Sequence, residues 1–303
     1  MSNGLSANRK ANRTTRRTIL GAIPALLLGR YATAAHIDLR GIRQRLAQVE
    51  SETDGSVGVY ALDTETGTRI GFNDGKRFAM ASTFKWTLAA AVLARVESGA
   101  LHLDQRVSFG KQDMLSNAPV SEAHLAAGSM TVGEMAAAVV EVSDNTAANL
   151  LLALIGGPPG LTRFLRSIGD PTTRLDRTEL ALNSNIPGDP RDTTTPRAMA
   201  HTLERVMLGK VLMPASRNLL TQWLVDARTG TKRLRASLPP DWRVGDKTGW
   251  GSNGAINDVA IAWPPGRKPL VIACYMSGSS LPTADLEGAH ARIAEIISTG
   301  LKA

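Results

Sequence analysis

The sequence predicts an α+β fold, in which an antiparallel sheet is flanked by N- and C-terminal helices and an all-helical lobe is inserted between them. Three observations lead to this prediction. Strand-like runs occur near both ends of the mature chain, residues from 81 to about 220 have helical spacing, and each end carries an amphipathic run. A cleft between the helical lobe and the sheet edge is the expected place for a substrate site.

Turn residues separate neighbouring strand-like runs, which indicates hairpins and therefore antiparallel pairing. The predicted strands are 57–62, 68–72, 243–249, 255–263 and 270–275. The predicted helices outside the inserted lobe are 37–49 and 283–301. Residues 36–75 and 225–303 are thus assigned to an α/β lobe, and residues 76–224 to an all-α lobe that contains a long loop at 174–192.

The basic charge of the chain is concentrated at its N-terminus. The 303 residues are 43% hydrophobic and 20% charged, which is typical of a globular protein, and the formal net charge is +8. The first 35 residues contain six Lys and Arg and no acidic residue, so removing them lowers the charge from +8 to +2. With no basic stripe elsewhere, a nucleic-acid partner is not predicted.

The N-terminal segment is interpreted as an export signal. It contains Thr15-Arg16-Arg17-Thr18-Ile19-Leu20, a twin-arginine pattern, followed by an apolar run at 21–29 and the small-residue site Ala32-Thr33-Ala34. The run is too short to span a bilayer. We therefore expect residues 1–35 to be removed, leaving a periplasmic or secreted protein without a stable membrane anchor. The only cysteine, Cys274, is expected in the core.

Ser82-Thr83-Phe84-Lys85 is the first candidate for chemistry. Residues three apart on a helix share a face, which brings an amine near a hydroxyl that needs activation at neutral pH. The spacing alone is weak evidence, because Ser108-Phe109-Gly110-Lys111 repeats it in a stretch expected at the surface.

Two further triplets extend the pattern. Ser143-Asp144-Asn145 lies in a break between two predicted helices, where its side chains can enter a cleft or simply cap a helix. Lys247-Thr248-Gly249 lies in a predicted strand, where Lys247 and Thr248 can bind a carboxylate and Gly249 can let a substrate approach the backbone. A solvated charge at a strand edge is the alternative for Lys247. Arg228-Thr229-Gly230 is a similar triplet without a strand around it.

These three elements, in this order, resemble the signature of the class A β-lactamases, and the resemblance extends from about residue 36 to residue 303. A fourth element at 174–183 resembles the Ω-shaped loop of that family. The resemblance implies that Glu179 and Asn183 hold a hydrolytic water, and that Arg177 and Asp192 tie the ends of the loop. It also implies a cis peptide bond between Glu179 and Leu180, a monomer, a β-lactam substrate, and no metal or organic cofactor.

The resemblance further implies a serine acyl-enzyme mechanism. Ser82 would attack the lactam carbonyl, with Lys85 or a water activated by Glu179 as the base. The backbone N–H groups of Ser82 and Trp250 would hold the oxyanion. Ser143 would relay a proton to the departing nitrogen, and Asn145 would bind the acylamide group. Lys247, Thr248 and an arginine would bind the substrate carboxylate.

The chain departs from common family patterns in the residues that surround the substrate. Asn117 stands at a rim position where an aromatic is frequent, and Trp250 stands where a small residue is frequent. Ile256 occupies the usual place of the carboxylate-binding arginine, so Arg233 is the alternative arginine, and Arg235 is not expected to replace it. A disulfide found in some carbapenem-hydrolysing relatives is excluded, since Ala81 and Gly251 occupy its two positions.

Two other functions share part of this pattern. A penicillin-sensitive D-Ala-D-Ala carboxypeptidase or transpeptidase shares three of the four elements, and a β-lactam sensor would acylate and remain acylated. Both alternatives predict no deacylating glutamate, whereas this chain has Glu179 with Asn183.

Overall fold

A five-stranded antiparallel sheet forms the centre of residues 37–301, which are the residues that the computed structural model describes. The strands are β1 (Ser56–Asp63), β2 (Arg69–Phe72), β3 (Phe78–Ala79), β4 (Arg106–Ser108), β5 (Ser129–Thr131), β6 (Thr193–Thr194), β7 (Arg243–Trp250), β8 (Ile256–Trp263) and β9 (Leu270–Ser277). In the large sheet the order is β2-β1-β9-β8-β7, which leaves β7 at an edge. The remaining strands form two short pairs, β3 with β6 and β4 with β5.

Nine α-helices occur in the described residues: one precedes the first strand, seven lie between the short strand β3 and the edge strand β7, and one follows the last strand. They are α1 (Leu39–Thr53), α2 (Phe84–Glu97), α3 (Pro119–His124), α4 (Val132–Glu141), α5 (Asn145–Leu154), α6 (Gly157–Ser167), α7 (Pro196–Leu208), α8 (Pro214–Val225) and α9 (Thr283–Gly300). The predicted α+β class and the antiparallel pairing are confirmed. The predicted strands and terminal helices all form, with ends that coincide or differ by at most four residues.

Alternate residues of the central strands belong to two different hydrophobic cores. On β9, Val271 and Ala273 join the core shared with the helical block, whereas Ile272 and Cys274 join the core beneath α1 and α9. The terminal helices therefore cover one face, as predicted. The helical block also covers the other face, rather than meeting the sheet only at its edge. Since both faces are covered, β8 and β9 are buried along nearly their whole length.

Helix α2 lies inside the helical block and is mostly apolar. Every residue from Phe84 to Leu93 is buried, so the helix has no solvent face over that length. Ser82 lies two residues before α2, in a short 3₁₀ turn, Ala81–Thr83. Because a buried helix has one position relative to its neighbours, this packing fixes the place of Ser82 against the edge strand β7.

Several smaller predictions also have an outcome. A capping box forms at the start of α4 between Thr131 and Glu134. Cys274 is buried and unpaired, as expected for a core cysteine. Ser108 is exposed, in agreement with its assignment to the surface. The predicted export signal lies outside the described residues. Within residues 37–301, no helix combines the length and apolarity needed to cross a bilayer.

Candidate active site

A cleft of about 570 Å³ opens between the helical block and the edge strand β7. Most of the residues singled out in the sequence border it. They include Ser82, Asn117, Ser143, Asn145, Asn183, Arg233, Thr248, Gly249 and Trp250. Lys85, Glu179 and Lys247 lie behind this wall and are buried at 0 to 5% exposure. The structure thus brings the four sequence elements to one place.

Three residues at or beside the cleft have an unusual backbone conformation. Ala81 has φ +43°, Ser143 has φ +61° and Asn117 has φ +54°, all in the left-handed region that non-glycine residues rarely adopt. Such conformations are found at sites where the surrounding structure determines a special geometry. Here all three residues stand at or beside the cleft. The turn at Ala81 places the Ser82 hydroxyl at the N-terminus of α2, where the helix dipole favours negative charge.

Lys85 is fully buried and has four oxygen atoms around its ammonium group. Its Nζ lies 2.9 Å from Glu179 Oε1, and it donates hydrogen bonds to Asn145 Oδ1 at 2.5 Å and to the Ser143 carbonyl at 2.8 Å. Burial lowers the pKa of Lys85, and the charge of Glu179 opposes that shift. The hydroxyl of Ser82 donates to the same Glu179 oxygen at 3.5 Å, which is the outer limit of a hydrogen bond. Glu179 therefore contacts both members of the Ser82–Lys85 pair.

The hydroxyl of Ser143 lies between two lysine ammonium groups. Lys247 Nζ donates to Ser143 Oγ at 3.1 Å and Lys85 Nζ donates at 3.4 Å. Lys247 is completely buried, and burial together with the charge of Lys85 lowers the pKa of Lys247 to about 7. Because two cations face it, the Ser143 oxygen is well placed to carry negative charge or pass a proton.

The two interpretations of Ser143-Asp144-Asn145 both apply, but to different residues. Asp144 is the N-cap of α5: its side chain accepts from Ala147 N, and it also accepts from Ser121. Asn145 instead bridges the cleft wall, accepting from Lys85 and donating through Nδ2 to the Ser116 carbonyl at 2.7 Å. The buried cap is structural, and it positions its two neighbours at the cleft.

Glu179 is held by two asparagines. Asn149 on α5 accepts from the Glu179 N–H and donates to the Glu179 carbonyl, both at 2.9 Å. Asn183 Nδ2 donates to Glu179 Oε2 at 2.6 Å, and Asn183 Oδ1 is a buried acceptor without a donor among the described residues. The Glu179–Leu180 peptide bond is cis, as predicted. Sequence reasoning missed Asn149, which belongs to no motif used there.

The ends of the loop at 174–192 are joined by an ion pair. Arg177 Nε lies 2.5 Å from Asp192 Oδ2, and the other oxygen of Asp192 accepts the N–H groups of Asp176 and Arg177 at 2.7 and 2.9 Å. Asp192 is fully buried. The Asp192 carboxylate therefore binds both the side chain and the backbone of Arg177, which lies two residues before Glu179.

The open edge of β7 presents the backbone of Trp250 to the cleft. The next residue, Gly251, donates its N–H to Ala255 on the hairpin side. Successive residues in a strand point their N–H groups in opposite directions, so the Trp250 N–H faces the open edge. Gly249 also has a role in packing. A Cβ there would meet the Met80 carbonyl at 2.7 Å, so this glycine lets β7 approach the turn that carries Ser82.

Gly251 allows a second close approach. A Cβ at this position would lie 2.7 Å from the carbonyl oxygen of Asn183, and the adjacent Ser252 N–H donates to that same oxygen at 2.8 Å. The end of β7 therefore packs directly on the segment that positions Asn183. A cysteine does not fit at this position without displacing the segment.

Neither Arg233 nor Arg235 is a solvated surface charge, since Arg233 is buried and Arg235 is partly buried. Arg233 is 6% exposed and donates through Nη1 to the Gly249 and Asn257 carbonyls at 2.8 and 2.7 Å. It borders the cleft, and burial lowers its pKa. Arg235 instead pairs with Asp246, a fully buried carboxylate, and does not border the cleft.

Thr229 is a second cleft residue that sequence reasoning missed. Its triplet has no predicted strand around it, yet the Thr229 hydroxyl lies 2.6 Å from the Thr248 hydroxyl, and Thr229 borders the cleft together with Arg233. Only the approach of two distant segments reveals it, since nothing in the local sequence marks Thr229 as different from other loop threonines.

Comparison with known proteins agrees with this geometry. A model of the β-lactamase enzyme family matches residues 41–301. The carbapenem-hydrolysing β-lactamase KPC of Klebsiella oxytoca is 44% identical over 287 residues, which is 94% of this chain and 97% of that protein. β-Lactamase L2 of Stenotrophomonas maltophilia is 50% identical over 236 residues, 78% of each chain.

Solved structures show the same fold. The class A β-lactamase of the last common ancestor of Gram-negative bacteria superimposes with a TM-score of 0.85 at 52% identity, covering 86% of this chain and 99% of that one. A β-lactamase from Xanthomonas campestris also gives 0.85, at 49% identity, covering 88% of this chain and 100% of that one. With its cleft, its four sequence elements and these relatives, the chain belongs to the class A β-lactamase family.

Proposed function

We propose that this chain hydrolyses the β-lactam amide of penicillins and cephalosporins through an acyl-enzyme on Ser82, and so provides antibiotic resistance. Family membership makes the chain a serine β-lactamase. The observation that carries the residue-level proposal is the position of Glu179. Its carboxylate contacts Lys85 at 2.9 Å, Ser82 at 3.5 Å and Asn183 at 2.6 Å, so one base reaches both the nucleophile and the place of a hydrolytic water.

Acylation begins when Ser82 loses its proton and attacks the lactam carbonyl. Two bases are available, as the family resemblance implies. Lys85 has a pKa lowered by burial, which favours the neutral amine, and Glu179 can act directly or through a water. The backbone N–H groups of Ser82 and Trp250 receive the oxyanion, supported by the outward direction of the Trp250 N–H. No metal or organic cofactor takes part in this scheme.

The lactam nitrogen then needs a proton in order to leave. Ser143 supplies it, since its hydroxyl lies between Lys85 and Lys247 and can be reprotonated from either ammonium group. Two charged donors next to one hydroxyl lower the cost of transient negative charge on its oxygen.

Substrate binding uses both ends of the cleft. Thr248 and Arg233, with Lys247 behind them, bind the carboxylate, and the hydroxyl pair Thr229–Thr248 completes this polar end. Asn145 has a second amide hydrogen beyond the one given to Ser116, and that hydrogen binds the acylamide group. Asn117 has no aromatic ring to stack on a substrate, and its Nδ2 donates a hydrogen bond to the Ser143 carbonyl at 3.1 Å.

Deacylation separates this function from its two alternatives. Glu179 takes a proton from water held by the free acceptor Asn183 Oδ1, and the resulting hydroxide attacks the Ser82 ester. A transpeptidase or a sensor would lack this base. The Arg177–Asp192 pair and the amide of Asn149 keep the loop backbone in position, so that Glu179 stays within reach of the ester.

The remaining parts of the proposal concern the chain as a whole. Residues 1–35 direct twin-arginine export to the periplasm or medium, supported by Arg16 and Arg17. The protein acts as a monomer, as the family resemblance implies. Residues 36–75 with 225–303 form one lobe and residues 76–224 the other, supported by the core beneath α1 and α9, whose buried residues all belong to the first lobe.

The decisive test is the fate of the acyl-enzyme in a Glu179→Ala variant. We expect benzylpenicillin to acylate Ser82 in this variant and to remain attached, so that intact-protein mass spectra show a stable adduct. Removing a general base costs about 10²- to 10⁴-fold in the step that it serves. Ser82→Ala should give no adduct, and Ser108→Ala, at an exposed site with the same Ser-x-x-Lys spacing, should behave as wild type. Wild-type turnover by Glu179→Ala would refute the assignment of the base.

A further inference from the structure

The indole of Trp250 is an apolar surface in a cleft that is otherwise largely polar. It is 62% exposed, the highest fraction among the large hydrophobic side chains of residues 37–301. The only other large apolar side chain on the cleft wall, within those residues, is Leu180 at 43% exposure. Exposed aromatic surface in a binding cleft is typical of a contact with an apolar part of a ligand.

The direction of the strand indicates which part of a ligand the indole meets. Trp250 pairs with Ile256 and follows Thr248 by two residues in β7, so the two side chains lie on the same face of the strand. The Thr248 hydroxyl is bonded to that of Thr229, and Arg233 donates to the carbonyl of the residue between Thr248 and Trp250. The indole therefore adjoins the cationic end of the cleft.

Leu180 belongs to a different segment of the cleft wall. It follows Glu179 on the loop at 174–192, and that loop meets the segment after β7 where Ser252 donates to the Asn183 carbonyl. Leu180 therefore adjoins the proposed deacylating base, whereas Trp250 shares a strand face with Thr248.

We propose that the Trp250 side chain is a specificity-determining contact for the ring that bears the substrate carboxylate, and that it selects planar or aromatic substituents on that ring. The inference rests on the proposed β-lactam hydrolysis, which uses only the backbone of Trp250. Asn117 and Ser116 on the cleft wall are polar, so the indole supplies the aromatic surface available to such a substituent. A cephalosporin with an aryl group on this ring is preferred over one with a methyl group.

The test compares two cephalosporins that share the same acylamido side chain and carry either phenyl or methyl on the carbon next to the carboxylate-bearing one. The measured quantity is the ratio of their kcat/KM values in wild type, Trp250→Ala and Trp250→Phe. We expect Trp250→Ala to lower the phenyl-to-methyl ratio by about tenfold, and Trp250→Phe to keep most of it. Each variant retains the backbone N–H, and any damage to the oxyanion site affects both substrates and cancels in the ratio.

Leu180→Ala is the matched control, because it removes the other exposed apolar side chain of the cleft wall and should leave the ratio unchanged. An equal loss for both cephalosporins in Trp250→Ala, or an equal shift of the ratio in Leu180→Ala, would overturn the inference while leaving β-lactam hydrolysis intact. A wild-type protein that neither hydrolyses nor is acylated by either compound would instead overturn the proposed function, and this inference with it.

Discussion

Arg233 and Arg235 stand two residues apart, and the structure predicts that replacing them has different consequences. Arg235 donates through Nε to Asp246 at 2.8 Å and through Nη1 to the Val225 carbonyl at 3.1 Å. Asp246 is fully buried, so Arg235→Ala leaves a carboxylate without its counter-ion in the interior. Removing one partner of a buried pair costs about 3–5 kcal/mol of folding free energy. For a domain of this size that corresponds to a fall in Tm of roughly 6–20 °C.

The pH dependence of this loss has a definite sign. Burial raises the pKa of Asp246 above its ordinary value even with Arg235 present, and losing Arg235 raises that pKa further. A carboxyl with a raised pKa in the folded state stabilises the fold at low pH, and this stabilisation is lost as pH rises through the folded pKa. The destabilisation of Arg235→Ala should therefore be small in acid and grow toward neutral pH. Adding Asp246→Asn to the variant should recover much of the lost stability, because no buried charge remains.

Arg233→Ala should reduce catalysis in the molecules that remain folded. It removes the guanidinium that borders the cleft, a charged hydrogen bond worth about 1.5–3 kcal/mol, or roughly a ten- to hundredfold fall in kcat/KM for penicillins. Two measurements separate the loss of stability from the loss of catalysis. Stability is measured by thermal unfolding followed by circular dichroism, and catalysis by kcat/KM per folded molecule. Comparable loss of kcat/KM in folded Arg235→Ala would refute the assignment of Arg233 to the carboxylate.

Three further predictions concern the nucleophile, the buried lysine and the glycine at the end of β7. Ser82→Ala should abolish both hydrolysis and covalent labelling by a fluorescent penicillin, and labelling at the wild-type level would exclude Ser82 as the nucleophile. Lys247 has a pKa lowered to about 7 and must be charged to bind a carboxylate, so kcat/KM should fall as pH rises above 7. Lys247→Arg should shift this fall in kcat/KM to higher pH, because a guanidinium stays charged. If the pH of the fall does not change, a group other than Lys247 is responsible for it. Gly251→Ala should displace Asn183, whose carbonyl lies 2.7 Å from the added carbon, and slow deacylation more than acylation in stopped-flow measurements. Gly288→Ala, at a helical glycine with open space around it, is the control.

The elements of the fold and most of the cleft residues are predictable from the sequence, because the signals that mark them are local. The almost continuous apolar run after Ser82 predicts the buried helix α2, and hairpin turns predict antiparallel strands. Ser82 and Lys85 stand three residues apart, so the local sequence alone predicts that their side chains lie on one side of the chain. The order of the three short motifs indicates the family. The family resemblance then predicts the role of Glu179 and the cis peptide bond that follows it.

The tertiary structure alone decides which distant residues support that chemistry. Asn149 holds Glu179 across 30 positions of sequence, and Thr229 meets Thr248 across 19. Neither residue has a periodicity or spacing that marks it, since its partner is chosen by how helices and strands pack. The same is true of Arg235, which is an ordinary charged residue in the sequence and becomes structural only because Asp246 is buried. Burial changes the energy of a charge, and burial is a property of the folded chain.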